Sequence, residues 1–169
     1  MRYPTDNNRI TSQYGYRMLG SKFDFHGGTD YGAINAGVIG DKLFPIVDNS
    51  KVVYTGFDQW RGHNIILEHD MHCTRYNHLK AILVKEGDIV HEKDVIGIMG
   101  NSGNSTAAHL HFEVHRCKYD KFHQKWPNGE ARNTIDPEML FLEYMPRPAA
   151  DCKTEELIDE MQEVINKYN

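Results

Sequence analysis

Three short segments of this chain carry side chains able to do chemistry. His26-Gly-Gly-Thr-Asp30 sets an imidazole and a carboxylate four residues apart. The two glycines between them permit a curl that would bring both groups to one point. Neutral imidazole and carboxylate are both good zinc ligands. In His109-Leu-His111-Phe-Glu113, strand alternation puts His109 and His111 on one face and Leu110 and Phe112 on the other. Two imidazoles side by side are costly to bury without a metal or a proton-exchanging substrate. Tyr76-Asn-His78-Leu79 adds a third histidine. Each segment alone has an ordinary structural explanation: a His–Asp turn, an edge strand with solvent-facing histidines, a surface histidine. Together they match the needs of zinc catalysis, which takes three protein ligands, an open position, a base and an oxyanion donor. One His and one Asp from the glycine segment and one His from the pair make three ligands, and two histidines remain.

The elements around these residues read as short strands. Lys51–Thr55, Asn64–Glu68, Thr74–His78, Val95–Met99 and Leu110–Val114 are strand-like, with turn signals at Gly20-Ser21, Asp48-Asn49, Glu86-Gly87-Asp88 and Gly100–Gly103. Many short strands at this spacing predict an antiparallel, mainly β domain over residues 1–145. Residues 146–150 (Pro-Arg-Pro-Ala-Ala) read as a short linker. Over 151–169, Thr154 is a candidate N-cap with Glu155 and Glu156 in the first turn. Leu157, Ile158, Met161, Val164, Ile165 and Tyr168 recur on one face, which predicts an amphipathic helix that packs on the β domain, self-associates, or is the stub of a linker to a further module.

Composition bounds the function. The 169 residues are 40% hydrophobic and 25% charged, with a formal net charge of -5 and no basic block, which argues against nucleic-acid binding. The longest apolar runs are too short to insert in a membrane, and residues 1–20 lack the pattern of a signal peptide. Cys73, Cys117 and Cys152 show no CxxC spacing, which argues against a disulfide framework.

In order along the chain, these pieces resemble the lysostaphin-type zinc endopeptidases, the LytM-like family of peptidoglycan hydrolases. The likeness runs from about Ile10 to about Leu142. It starts at Ile10-Thr-Ser-Gln-Tyr-Gly-Tyr-Arg17 and includes the HxxxD element at His26–Asp30, the glycine-led strand Gly62–His69 and the Tyr-x-His-Leu element at Tyr76–Leu79. Gly87–Gly97 then leads through Gly100–Thr106 to HLHFE at 109–113, and Asp136-Pro137 stands where the family often closes its domain. The resemblance implies one zinc ion per chain on His26, Asp30 and His111, and His109 and His78 as catalytic residues. It also implies an antiparallel sheet with loops walling a groove, and a substrate in the peptide part of the bacterial cell wall. On this reading His109 takes a proton from water and passes it to the leaving amine while His78 hydrogen-bonds the oxyanion, with the two roles interchangeable. Glu113 is a candidate partner for the outer N–H of a metal-held imidazole. The absence of a visible leader suits a phage lysin or a chain delivered by another route.

The sequence departs from the family at three places: His63 where an asparagine is usual, a longer stretch between Tyr31 and Phe44-Pro45, and Ala107-Ala108 before HLHFE. Trp60 and Tyr31 are candidates to line a groove. His69, His72, His91, His115 and His123 read as surface or packing residues, with His115 too far along its strand to touch a metal. Two rival readings are a non-catalytic relative that binds wall or partner proteins, and a biotinyl/lipoyl-type carrier. The carrier reading lacks the Met-Lys pair of that class.

Overall fold

The computed structural model describes residues 1–69, 72–116 and 134–144. The linker at 146–150, the helix expected over 151–169, Cys117, Cys152 and His123 lie outside the described residues.

In chain order the strands are β1 (Ile10–Ser12), β2 (Gly15–Leu19), β3 (Lys22–His26), β4 (Thr29–Gly32), β5 (Lys42–Leu43), β6 (Ser50–Asp58) and β7 (Gly62–His69). They continue with β8 (His72–Ile82), β9 (Ile89–Val90), β10 (Gly97–Met99), β11 (His109–His115) and β12 (Thr134–Ile135), and helix α1 (Pro137–Tyr144) follows. The main sheet is antiparallel and runs β1-β4-β11-β8-β7-β6-β9, with β5, β10 and β12 attached beside that path. β2 and β3 form a separate two-stranded ribbon. β6, β7 and β8 are a meander of sequence neighbours, whereas β11 slots between β4 and β8. No local sequence pattern specifies that insertion.

The sheet has two unlike faces because its strands alternate. Leu110, Phe112 and Val114 of β11 enter the main core with Ile65, Leu67, Tyr76, Leu79 and Met99. His109, His111, Glu113 and His115 take the opposite face. On that second face Ile66 and Cys73 form a small apolar cluster with Val53 and Tyr54.

Helix α1 starts on a capped turn that the sequence analysis did not single out: Asp136 Oδ1 accepts the Glu138 N–H at 3.0 Å, and Pro137 takes the first helical position. Its Leu140 and Phe141 close the core, with Phe141 against Tyr3 at a ring separation of 4.3 Å.

Candidate metal centre

β4 and β11 pair with Asp30 directly opposite His111, so both side chains stand on the non-core face. β3 ends at His26, which is buried. The turn from β3 to β4 presses on β11. A Cβ on Gly28 would come within 2.4 Å of the Phe112 carbonyl oxygen and 3.0 Å of His111 Nε2. Gly27 and Gly28 are absent from the positive-φ residues. What the sequence suggested as a curl is therefore a close approach of backbone to strand.

The result is a tight triangle of donor atoms. His26 Nε2 lies 2.9 Å from His111 Nδ1, His111 Nδ1 lies 2.8 Å from Asp30 Oδ1, and His26 Nε2 lies 3.2 Å from Asp30 Oδ1. Tetrahedral ligands about 2.0–2.1 Å from zinc stand roughly 3.3 Å apart, close to these edges. Each imidazole has its outer nitrogen engaged: His26 Nδ1 donates to the Gln13 carbonyl at 2.7 Å, and His111 Nε2 faces Glu113 Oε1 at 3.2 Å. Those bonds leave the inward nitrogens as lone-pair donors. Two such nitrogens and a carboxylate oxygen this close repel unless a proton or a cation sits among them. The donor set fits zinc.

The electrostatics follow from that crowding. Burial alone would raise the Asp30 carboxyl, but hydrogen bonds from His111 and His26 outweigh it and hold Asp30 well below the usual carboxylate range. Burial would lower His111, yet its bonds to Asp30 and Glu113 raise it to about 9.

His109 and His78 flank the triangle, with ring centroids 4.8 Å apart. His109 Nδ1 donates to the Ala107 carbonyl at 2.8 Å, and its Nε2 lies 3.7 Å from Asp30 Oδ1. His78, the last residue of the strand expected over Thr74–His78, lies within the longer β8, at a bulge. The register to β7 slips between Tyr76 and Leu79, and His78 has φ of 64°. This left-handed residue breaks the alternation of β8. Asn77 and His78 therefore both serve the site face, Asn77 donating to Glu113 Oε1 at 2.9 Å. His78 Nδ1 donates to the Ser102 carbonyl at 2.8 Å, and burial pushes the ring down to about 4.

Sequence reasoning missed the residues behind Glu113. His115 is fully buried and donates from Nε2 to Glu113 Oε2 at 2.7 Å, and Arg75 Nη1 lies 3.8 Å from the same oxygen. His115 is thus a packing residue, as read, with an added partner in the site. Period two along β11 pointed to it, whereas Arg75 and Asn77 emerge only from the β8–β11 register. Arg17 was also missed; its Nη1 lies 3.9 Å from Asp30 Oδ2. Tyr31 does not line a groove. It is fully buried in the core and its hydroxyl donates to Glu138, because β4 turns that side chain away from the site face. Trp60 is 62% exposed, and His63 is exposed beside Phe57. The long stretch after Tyr31 presents Ile34, Val38 and Ile39 to solvent. Among the described residues no helix is long and apolar enough to cross a membrane.

Comparison with known proteins gives one family. The sequence profile of peptidase family M23 matches residues 24–133. The peptidoglycan DD-endopeptidase ShyA of Vibrio cholerae is 36% identical over 118 residues, which is 67% of this chain and 26% of that protein. Lysostaphin of Staphylococcus simulans is 36% identical over 142 residues, 80% of this chain and 25% of that protein. The crystallised catalytic domain of that lysostaphin superposes with a TM-score of 0.65 at 30% identity, covering 82% of this chain and 94% of the domain. The chain spans about a quarter of the length of the curated relatives it matches.

Proposed function

The chain belongs to peptidase family M23, and from that premise we propose that it is a zinc-dependent endopeptidase. Its substrate is the peptide part of bacterial peptidoglycan, in the stem or the cross-bridge, and it acts at the cell wall as a bacteriolytic lysin. The observation that carries this reading is the triangle of His26, Asp30 and His111 donor atoms, all within 4.8 Å of one another. Both imidazoles in it have their outer nitrogens committed elsewhere. The wall substrate is supported by ShyA and lysostaphin, the first of which is by name a peptidoglycan endopeptidase.

A zinc ion bound there supplies the Lewis acidity that polarises a peptide carbonyl and makes water a nucleophile near neutral pH. The chain supplies the proton transfers. His78 has its Nδ1–H committed to the Ser102 carbonyl and is kept neutral by burial, so its Nε2 carries a lone pair. His109 has its Nδ1–H fixed by the Ala107 carbonyl, and its Nε2 stands 3.7 Å from Asp30 Oδ1 at the edge of the ligand triangle. Both rings commit Nδ1–H to a backbone carbonyl and keep Nε2 for the reaction, so the base and oxyanion-donor roles are interchangeable between His78 and His109. Glu113 holds the His111 ring, and Asn77, His115 and Arg75 hold Glu113.

The test is digestion of purified cell walls by the full chain, with fragments identified by mass spectrometry and metal content measured on the same preparation. Activity that disappears with a chelator and returns with zinc is expected. Walls left intact by protein carrying one zinc per chain would refute the proposal.

A further inference from the structure

Arg17 belongs to the β2–β3 ribbon, outside the main sheet, yet its guanidinium reaches the ligand triangle. The ribbon register sets Gly15 opposite His26 and Arg17 opposite Asp24, so Arg17 and His26 share one face of the ribbon. Three contacts fix the guanidinium. Its Nε donates to Asp24 Oδ2 at 3.3 Å, its Nη1 donates to Ser12 Oγ at 2.5 Å, and Nη1 lies 3.9 Å from Asp30 Oδ2. β1 and β4 pair Ser12 with Asp30, so the hydroxyl that anchors Arg17 belongs to the cross-strand neighbour of that ligand.

The two oxygens of Asp30 are used differently. His111 Nδ1 at 2.8 Å, His26 Nε2 at 3.2 Å and His109 Nε2 at 3.7 Å all approach Oδ1, whereas Arg17 approaches Oδ2. A carboxylate free to turn can offer a cation both of its oxygens. A catalytic zinc site keeps one coordination position open, and a second carboxylate oxygen would take it. The Arg17 and Asp30 side chains are 28% and 13% exposed, so water and salt screen the pair only in part.

We infer that Arg17 is a positioning residue: its charge holds Asp30 Oδ2 off the ligand triangle, so that Asp30 offers a metal Oδ1 alone. The inference rests on the zinc reading of the site and adds to it a residue that acts only through Asp30. A purely structural role for Arg17 would show differently, as weaker metal binding, because the same ribbon carries His26.

The experiment loads the full chain with Co²⁺ in place of zinc and records its visible spectrum, in which four-coordinate cobalt absorbs far more strongly than five- or six-coordinate cobalt. Arg17→Gln should lose intensity at equal cobalt content, and Arg17→Lys should recover part of it. Zinc affinity, from competition with a chromogenic chelator, should hold or rise in Arg17→Gln, because a positive charge near the ligands is gone. Wall digestion should fall about 10–100-fold, the usual cost of losing a group that orients a ligand. Asp24→Asn, which removes the other carboxylate on Arg17, is the control, and its spectrum should match the parent's. An Arg17→Gln spectrum like the parent's overturns the inference. So does an equal loss of intensity in Asp24→Asn, or a fall in zinc affinity in Arg17→Gln, since the fold of the ribbon would then be responsible. A parent that takes up neither Co²⁺ nor Zn²⁺ refutes the zinc reading itself, and this inference with it.

Discussion

His111 and Glu113 stand two residues apart on one face of β11, with His111 Nε2 3.2 Å from Glu113 Oε1. That contact turns the ring so that Nδ1, and not Nε2, meets Asp30 and His26. Glu113 is itself buried, and hydrogen bonds from His111 and His115 with the nearby Arg75 charge overcome the burial that would raise its carboxyl. It is a fixed acceptor for His111.

Glu113→Gln keeps the shape but weakens that acceptor. Zinc affinity should fall about 10–100-fold, the usual cost of losing such a partner. Competition against a chromogenic chelator measures it. A variant with parental zinc affinity would remove Glu113 from the positioning role.

The two histidines of HLHFE should separate binding from turnover. His111→Ala should lose both zinc and wall digestion. His109→Ala should retain zinc while turnover falls about 10²–10⁴-fold, the usual worth of general acid–base help. Metal analysis and fragment release, run on one preparation, give both numbers. Parental turnover in His109→Ala would strike it from the mechanism.

Gly62 should matter as much as a catalytic residue without touching the chemistry. It has φ of 66°, and a Cβ there would lie 2.2 Å from Ser102 Oγ and 2.4 Å from the Ser102 carbonyl carbon. Ser102 gives the carbonyl that holds His78. Gly62→Ala adds left-handed strain of about 1–2 kcal/mol and displaces the 100–105 loop. Lower thermal stability with zinc retained and hydrolysis reduced at least tenfold is the expected pattern. A variant of parental stability and activity would mean that the loop yields freely.

His78 predicts a direction for stability against pH. Its folded value of about 4 lies below the ordinary value near 6.5, so the unfolded chain binds more protons between those limits. Stability from this group is complete above about pH 6.5 and declines as the pH falls toward 4. His78→Asn keeps a residue that tolerates the left-handed backbone and removes the titration. Denaturation midpoints at pH 7.5 and 5 should drop further for the parent than for the variant. Equal drops would place the acid sensitivity elsewhere.

The sequence by itself determined the alternation of β11, since side-chain direction in a strand repeats every two residues whatever the strand pairs with. That local rule put His109, His111 and Glu113 on one face and Leu110 and Phe112 in the core. The order of family-like elements likewise marked His26, Asp30, His111, His78 and His109 before any coordinates. Tertiary structure decided what depends on pairing across long stretches of chain. The insertion of β11 between β4 and β8 set His111 opposite both Asp30 and Asn77 and brought Arg75 level with Glu113. The bulge at His78 and the steric need for Gly28 arise from how neighbouring strands meet. The fate of Tyr31, an aromatic that could have faced a groove, turned on which side of β4 became the core. Residue types and local periodicity are properties of the chain, whereas strand order and register are settled by which distant segments bury each other's apolar faces.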